Sequence, residues 1–260
     1  MDDTGNPPGE KVMSFWEHLD ELRSRLRKAL IALVVTSMVA WGIREQVLTV
    51  LVYPFHKAWV EQKLPGTPQL HFAAPADAFT AYVHQSMIAG TALAFPFIFW
   101  QLWAFIAPGL YAKEKKSALL FVIASTALFI IGGAFGWSVA FPLAFSYFLS
   151  LSGDLGQNGV AIVPTVMMVD YLDFVSQLLL AFGLIFEIPI LSLFLSVTGI
   201  VNYKQMWRFG RWFVIIAFIV GAVLTPPDVT SQLVMAIPMC LLYFLSIGLA
   251  YLFGKRPQEG

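Results

Sequence analysis

Glu187 is where chemistry would be sought first. It lies in Ala181-Phe-Gly-Leu-Ile-Phe-Glu-Ile-Pro189, inside a long apolar run. An ionised carboxylate is expensive there, so the side chain is expected to stay protonated or to face a wet cavity. An acid in such a run marks a functional site by default, a proton relay or a docking point for another polar group. The structural alternative is a protonated acid hydrogen-bonded across helices, for instance to backbone freed by Pro189. Gln177, ten residues earlier, and Gln85, on another run, make a polar groove conceivable, whereas no second charge within a run stands as a partner.

Two further carboxylates sit in polar, basic surroundings. In the stretch from Phe15 to Arg27, Glu21 and Arg25 are spaced as an i,i+4 pair, with Glu17, Asp20 and Arg23 projecting nearby. Phe15, Leu19, Leu22 and Leu26 fall on one helical stripe suited to a membrane interface. Between Phe99 and Lys116, Glu114 stands among Lys113, Lys115 and Lys116. Pro108-Gly109 breaks the helix before it, and Trp100, Trp103 and Tyr111 suit an aromatic belt at headgroup level. Each carboxylate reads either as a surface charge balanced by its neighbours or as an acceptor for an incoming guanidinium, which a carboxylate takes bidentately. Spacing leaves both readings open.

The remaining candidates are structural or absent. Asp228, with Thr225, Thr230, Ser231 and Gln232 around it, is placed to cap a following helix. Gly132, Gly133 and Gly136 form a G-x-x-x-G face for helix packing. His18, His56, His71 and His84 lack metal-ligand spacing, and the single Cys240 excludes an intrachain disulfide. There is no G-x-S-x-G, Walker A, H-E-x-x-H or dinucleotide fingerprint. No metal, cofactor or enzymatic activity is expected.

Elements built in lipid must position these residues. Of 260 residues, 58% are hydrophobic and only 12% charged, against about 25% charged in a soluble domain. Sixteen basic and sixteen acidic residues cancel, which argues against bulk electrostatic binding of nucleic acid. The polar first 28 residues lack the layout of a cleavable signal, so the N-terminus is expected to be retained. Apolar segments at about 24–43, 78–100, 119–145, 172–197, 212–224 and 233–253 predict an all-α, polytopic membrane protein with six transmembrane helices in a single domain. The fifth is short: its 13 residues make roughly 20 Å of helix, and Pro226-Pro227 stops it. A shallow fifth–sixth hairpin that thins the bilayer is favoured over a re-entrant element. Thirteen of the sixteen Lys and Arg fall in the N-terminal segment, the even-numbered connections and the tail. Both termini are therefore expected in the cytoplasm, with outer loops at 44–77 and 150–170 long enough to form caps.

Five stretches, taken together, carry a resemblance: His18-Leu-Asp-Glu-Leu-Arg23, Gln101-Leu-Trp-Ala-Phe-Ile-Ala-Pro-Gly-Leu-Tyr111, Phe141-Pro-Leu-Ala-Phe145, Ala181 to Pro189, and Leu224-Thr-Pro-Pro-Asp-Val-Thr-Ser-Gln232. They span nearly the whole chain and resemble the TatC family, the multi-span subunit of the twin-arginine protein translocase. The resemblance implies a concave helical wall with short fifth and sixth helices in the inner (cytoplasmic) membrane. It also implies a receptor for folded cargo bearing twin-arginine signal peptides, working with TatA and TatB-type single-span subunits on the proton-motive force. A homo-oligomer within that complex is expected, and ATP is not consumed. Carried over by position, Glu21, Arg23, Phe105 and Glu114 look like the signal-recognition surface, and Gln101 and Pro54 match positions linked to that core. Glu187 looks like the polar residue of the concave face where a partner helix or the inserted signal docks. Asp228 and Gln232 look like part of a site beside the fifth and sixth spans. The main rival is a proton- or ion-coupled small-molecule transporter, because a membrane-embedded Glu near Pro is also a proton-relay signature. Against it stand the missing internal repeat and the lone buried charge.

Overall fold

The computed structural model describes residues 15–64, 66–106, 115–154, 161–162, 164–225 and 228–255. Helix dominates, because in hydrocarbon each backbone N–H and C=O must be satisfied within its own segment. The helices are α1 (Phe15–Gly42), α2 (Arg44–Glu61), α3 (Pro75–Ile106), α4 (Lys115–Phe135), α5 (Phe141–Ser150), α6 (Met168–Ile185), α7 (Ile188–Thr198), α8 (Tyr203–Leu224) and α9 (Val229–Phe253). The chain is a multi-pass membrane protein. Among the described residues, five apolar stretches are long enough to cross a bilayer, two of them composite: Pro75–Ile106, Leu119–Ser150, Met168–Thr198, Tyr203–Leu224 and Val229–Phe253. A sixth is reached by α1 taken together with α2 across a 79° bend.

Two spans are interrupted, each just ahead of a proline. A π-helical turn, Gly136–Ala140, joins α4 to α5 and ends two residues before Pro142. Between α6 and α7, Pro189 has no N–H to offer the Ile185 carbonyl. The ladder tightens there, with Glu187 N donating to Leu184 O at 3.0 Å, and resumes with Leu191 N donating to Glu187 O at 3.0 Å. Glu187 thus sits at the helix break.

The connection at 44–77 is mostly helix. α2 fills it, and its interior Pro54 cannot donate to the Val50 carbonyl one turn back. Trp137 Nε1 in the π turn donates to that oxygen at 2.9 Å, and Tyr171 Oη donates to the neighbouring Leu51 carbonyl at 2.6 Å. Two-residue strands complete this end. β1 (Leu70–His71) pairs in parallel with β4 (Val166–Met167), tying the two long connections together; β2 (Gly153–Asp154) pairs antiparallel with β3 (Ala161–Ile162).

The largest buried cluster lies under this cap, where Phe55 meets Phe145 at 5.3 Å and Tyr171 at 5.4 Å. A second cluster gathers Phe99, Trp103, Val122, Phe129 and Ile190. Close helix approach depends on small residues. A Cβ at Gly132 would collide with the Phe182 carbonyl and one at Gly136 would crowd Phe182, while Gly133 faces open space. The G-x-x-x-G face therefore packs α4 on α6, as its spacing predicts.

One boundary is corrected. The fifth span begins at Tyr203, not 212, because Asn202 and Gln205 form a capping box: Gln205 N donates to Asn202 Oδ1 at 3.0 Å and Asn202 N to Gln205 Oε1 at 2.9 Å. The added turns carry Lys204, Arg208 and Arg211, so the uncharged part is still Trp212–Leu224. α8 and α9, with 22 and 25 residues, are shorter than the 31 or 32 residues of the three preceding spans.

Candidate functional site

The N-terminal end of α1 packs against the end of α3. His18 stacks on Phe105 with ring centroids 4.3 Å apart and planes 13° from parallel. One helical turn on, Glu21 is half-buried and ion-paired to Arg25, whose Nε donates to Glu21 Oε1 at 2.8 Å and whose Nη2 also bonds that oxygen. Glu21 Oε2 is buried without a hydrogen-bond partner among the described residues, and His18 Nδ1 lies 3.9 Å from it. The structure thus brings Glu21 and Phe105 together through His18, a residue that the absence of metal spacing had left without a role. Arg23 points outward and is exposed. Glu114 lies outside the described residues.

The second polar site is built at the α6–α7 break. Glu187 is 4% exposed, and the fully buried Ser125 of α4 is its polar neighbour. Trp103 Nε1 of α3 donates to Ser125 Oγ at 3.1 Å. This corrects the belt reading of Trp103: the indole is buried because Ser125 satisfies its N–H and Phe121 stacks on it at 4.8 Å. Trp100 is half-exposed, as a belt residue would be. Glu187 Oε1 is left with no hydrogen-bond partner among the described residues.

Elsewhere in the helical wall, α2, α3, α4 and α6 border an apolar groove of about 480 Å³, lined by residues that include Leu51, Gln85, Phe129 and Ser176. Gln85 is 2% exposed and both polar atoms of its side chain are unpartnered, whereas Gln177 is exposed and contributes nothing to the groove. On Gln85's neighbour, His84 Nδ1 and Asp173 Oδ1 meet at 2.7 Å between α3 and α6. Of the three residues expected in one polar groove, Gln85 alone lines this one, and Glu187 lies in a separate site with Ser125; Ser125 and Trp103 gave no signal because Ser and Trp are unremarkable in apolar spans.

The other carried-over positions lie apart. Gln101 is buried in α3, two residues before Trp103, and Pro54 is buried in α2 under the cap. Asp228 caps α9, accepting from Ser231 N at 2.7 Å, while its Oδ2 is buried without a hydrogen-bond partner among the described residues. Gln232 Nε2 donates to the Phe218 carbonyl at 2.9 Å and so bridges α9 to α8. No group of His, Cys, Asp and Glu suited to a metal ion occurs among the described residues.

Comparison with known proteins gives one family throughout. The family described as Sec-independent protein translocase protein (TatC) matches residues 17–238. A TatC protein of Desulforapulum autotrophicum is 37% identical over 250 residues, covering 96% of this chain and 88% of that protein. One from Koribacter versatilis is 36% identical over 250 residues, covering 96% and 89%. A crystal structure titled as the twin arginine translocase receptor TatC superposes with a TM-score of 0.78 at 34% identity, covering 91% of this chain and 99% of that one.

Proposed function

The chain belongs to the TatC family of Sec-independent protein translocase proteins and is a core translocase subunit, not an enzyme; from that premise we propose that it is the receptor for twin-arginine signal peptides. The small-solute transporter reading is not favoured, since the relatives are translocase subunits along nearly the whole chain. The observation that carries the proposal is the half-buried Glu21 carboxylate, held at the α1–α3 contact beside the Phe105–His18 stack. A carboxylate so placed accepts a guanidinium with two-point geometry, which an ammonium cannot match. Glu114 supplies the second acceptor and Arg23 and Phe105 border the site, so a pair of arginines finds a pair of acids.

Beyond this grip, the apolar part of the signal, or a single-span TatA or TatB-type partner, lies along the helical wall. The unpartnered Oε1 of Glu187 and the amide of Gln85 are where a docked helix would place donors and acceptors. Gln101 and Pro54 support this surface, and Asp228 and Gln232 belong to a second partner site beside α8 and α9. Both termini lie in the cytoplasm of an inner-membrane protein that works as several copies and draws on the proton-motive force.

The test is binding of a labelled twin-arginine peptide to the purified translocase complex in nanodiscs. Glu21→Gln and Glu114→Gln are each expected to weaken binding by about tenfold or more, the scale of one charge-assisted bidentate bond. A paired-lysine peptide should bind the wild type more weakly. Unchanged affinity in both variants would remove the carboxylate receptor.

A further inference from the structure

Glu21 is not vacant. Its Oε1 accepts two bonds from the Arg25 guanidinium, through Nε at 2.8 Å and through Nη2. Its Oε2 is sealed from solvent without a hydrogen-bond partner among the described residues, and His18 Nδ1, at 3.9 Å, is beyond hydrogen-bond reach. His18 is held flat against Phe105, so the Oε2 side is closed by a ring anchored on another helix. An incoming arginine therefore meets a carboxylate with one oxygen taken and the other covered. The Glu21 and Arg25 side chains are only 17% and 23% exposed, so water screens their pairing less than that of a surface pair. Being one turn apart on α1, they need no search to find each other.

We infer that Arg25 is the affinity-setting residue of the receptor: it holds the place of a signal arginine on Glu21 and is exchanged for it on binding. The inference rests on the reading of Glu21 as an arginine acceptor. The exchange is balanced, one guanidinium leaving as another arrives, so the carboxylate is not stranded without a cation at any stage. Apparent affinity is lowered by the fraction of receptors in which Glu21 is free, which for a partly buried pair amounts to about three- to tenfold. Any ligand of Glu21 must displace the same guanidinium, so twin-arginine and twin-lysine peptides are weakened by one common factor. Arg25 thus sets the threshold of the receptor, while the choice of arginine over lysine stays with the fork geometry of the carboxylate.

The experiment measures both peptides on the intact translocase complex in nanodiscs. Arg25→Gln is expected to tighten twin-arginine and twin-lysine binding alike, by about three- to tenfold, and Arg25→Lys by less, since a point charge holds Glu21 less firmly. Arg27→Gln removes the same charge two residues on from an exposed side chain; it should change affinity by less than about twofold. Equal tightening in Arg27→Gln would make the effect one of overall charge and overturn the exchange. Weaker or unchanged binding in Arg25→Gln would overturn it too, whereas Arg25→Lys falls between wild type and Arg25→Gln because an ammonium still occupies Glu21. Should Glu21→Gln weaken binding while Arg25→Gln does nothing, only the exchange falls; should Glu21→Gln be silent, the receptor reading falls with it.

Discussion

At the scale of single residues, the feature with most consequence is a buried serine. Ser125 of α4 accepts from the Trp103 indole of α3 and lies beside Glu187 at the α6–α7 break. Truncating it leaves an indole N–H without its partner in a dry interior. Ser125→Ala is expected to lower stability by about 1 kcal/mol, the scale of one hydrogen bond lost with its donor left buried. Denaturation of the purified protein in detergent measures this. A loss below about 0.3 kcal/mol would mean that the indole finds another partner on removal of the hydroxyl. In Glu187, the buried Oε1, without a hydrogen-bond partner among the described residues, is the atom left for a docking partner.

At the scale of elements, the cap is held by a substitution of donors. Pro54 deprives the Val50 carbonyl of its helical N–H, and the Trp137 indole, from a π turn in another span, supplies one instead. Pro54 in α2 and the π turn in the third span are thus two halves of one contact, reinforced by the Tyr53–Trp137 stack at 5.7 Å. A double-mutant cycle tests it. Trp137→Phe is expected to cost about 1–2 kcal/mol where Pro54 is present. Where Pro54→Ala restores the backbone donor, the same change should cost less by about 1 kcal/mol, a coupling that thermal unfolding of the four proteins would detect. Additive losses would show that Trp137 does no more than pack on α2.

At the scale of the whole molecule, the unequal spans matter. The uncharged part of α8 is 13 residues, Trp212–Leu224, or roughly 20 Å of helix against about 30 Å of hydrocarbon. That edge of the protein is proposed to thin the bilayer where cargo passes. Inserting four leucines within it should lower export of a twin-arginine reporter several-fold while the protein still inserts; export at the wild-type rate would show that mismatch plays no part. Composition and hydropathy alone were enough for the multi-span, nearly all-helical architecture, because lipid admits so few ways of satisfying a backbone. Apolar length marked the spans, but not the breaks in two of them: Pro142 and Pro189 follow interruptions, whereas Pro96 and Pro238 lie inside continuous helices. Glu187 was legible because a carboxyl in an apolar run is costly, and the Asp228 cap and the G-x-x-x-G face because they obey local spacing rules. What only the tertiary structure decided were contacts between residues distant in the chain: Trp103 on Ser125, His18 on Phe105, and Trp137 on the Val50 carbonyl. Ser, Trp and His carry no signal at those positions until folding brings a partner within about 3–4 Å, since a hydrogen bond or a stack depends on distance and direction rather than residue type. The Glu21–Arg25 pair lies between these cases: its spacing was plain in the sequence, but that the pair closes off one carboxylate oxygen, and leaves the other sealed, follows only from how α1 lies on α3.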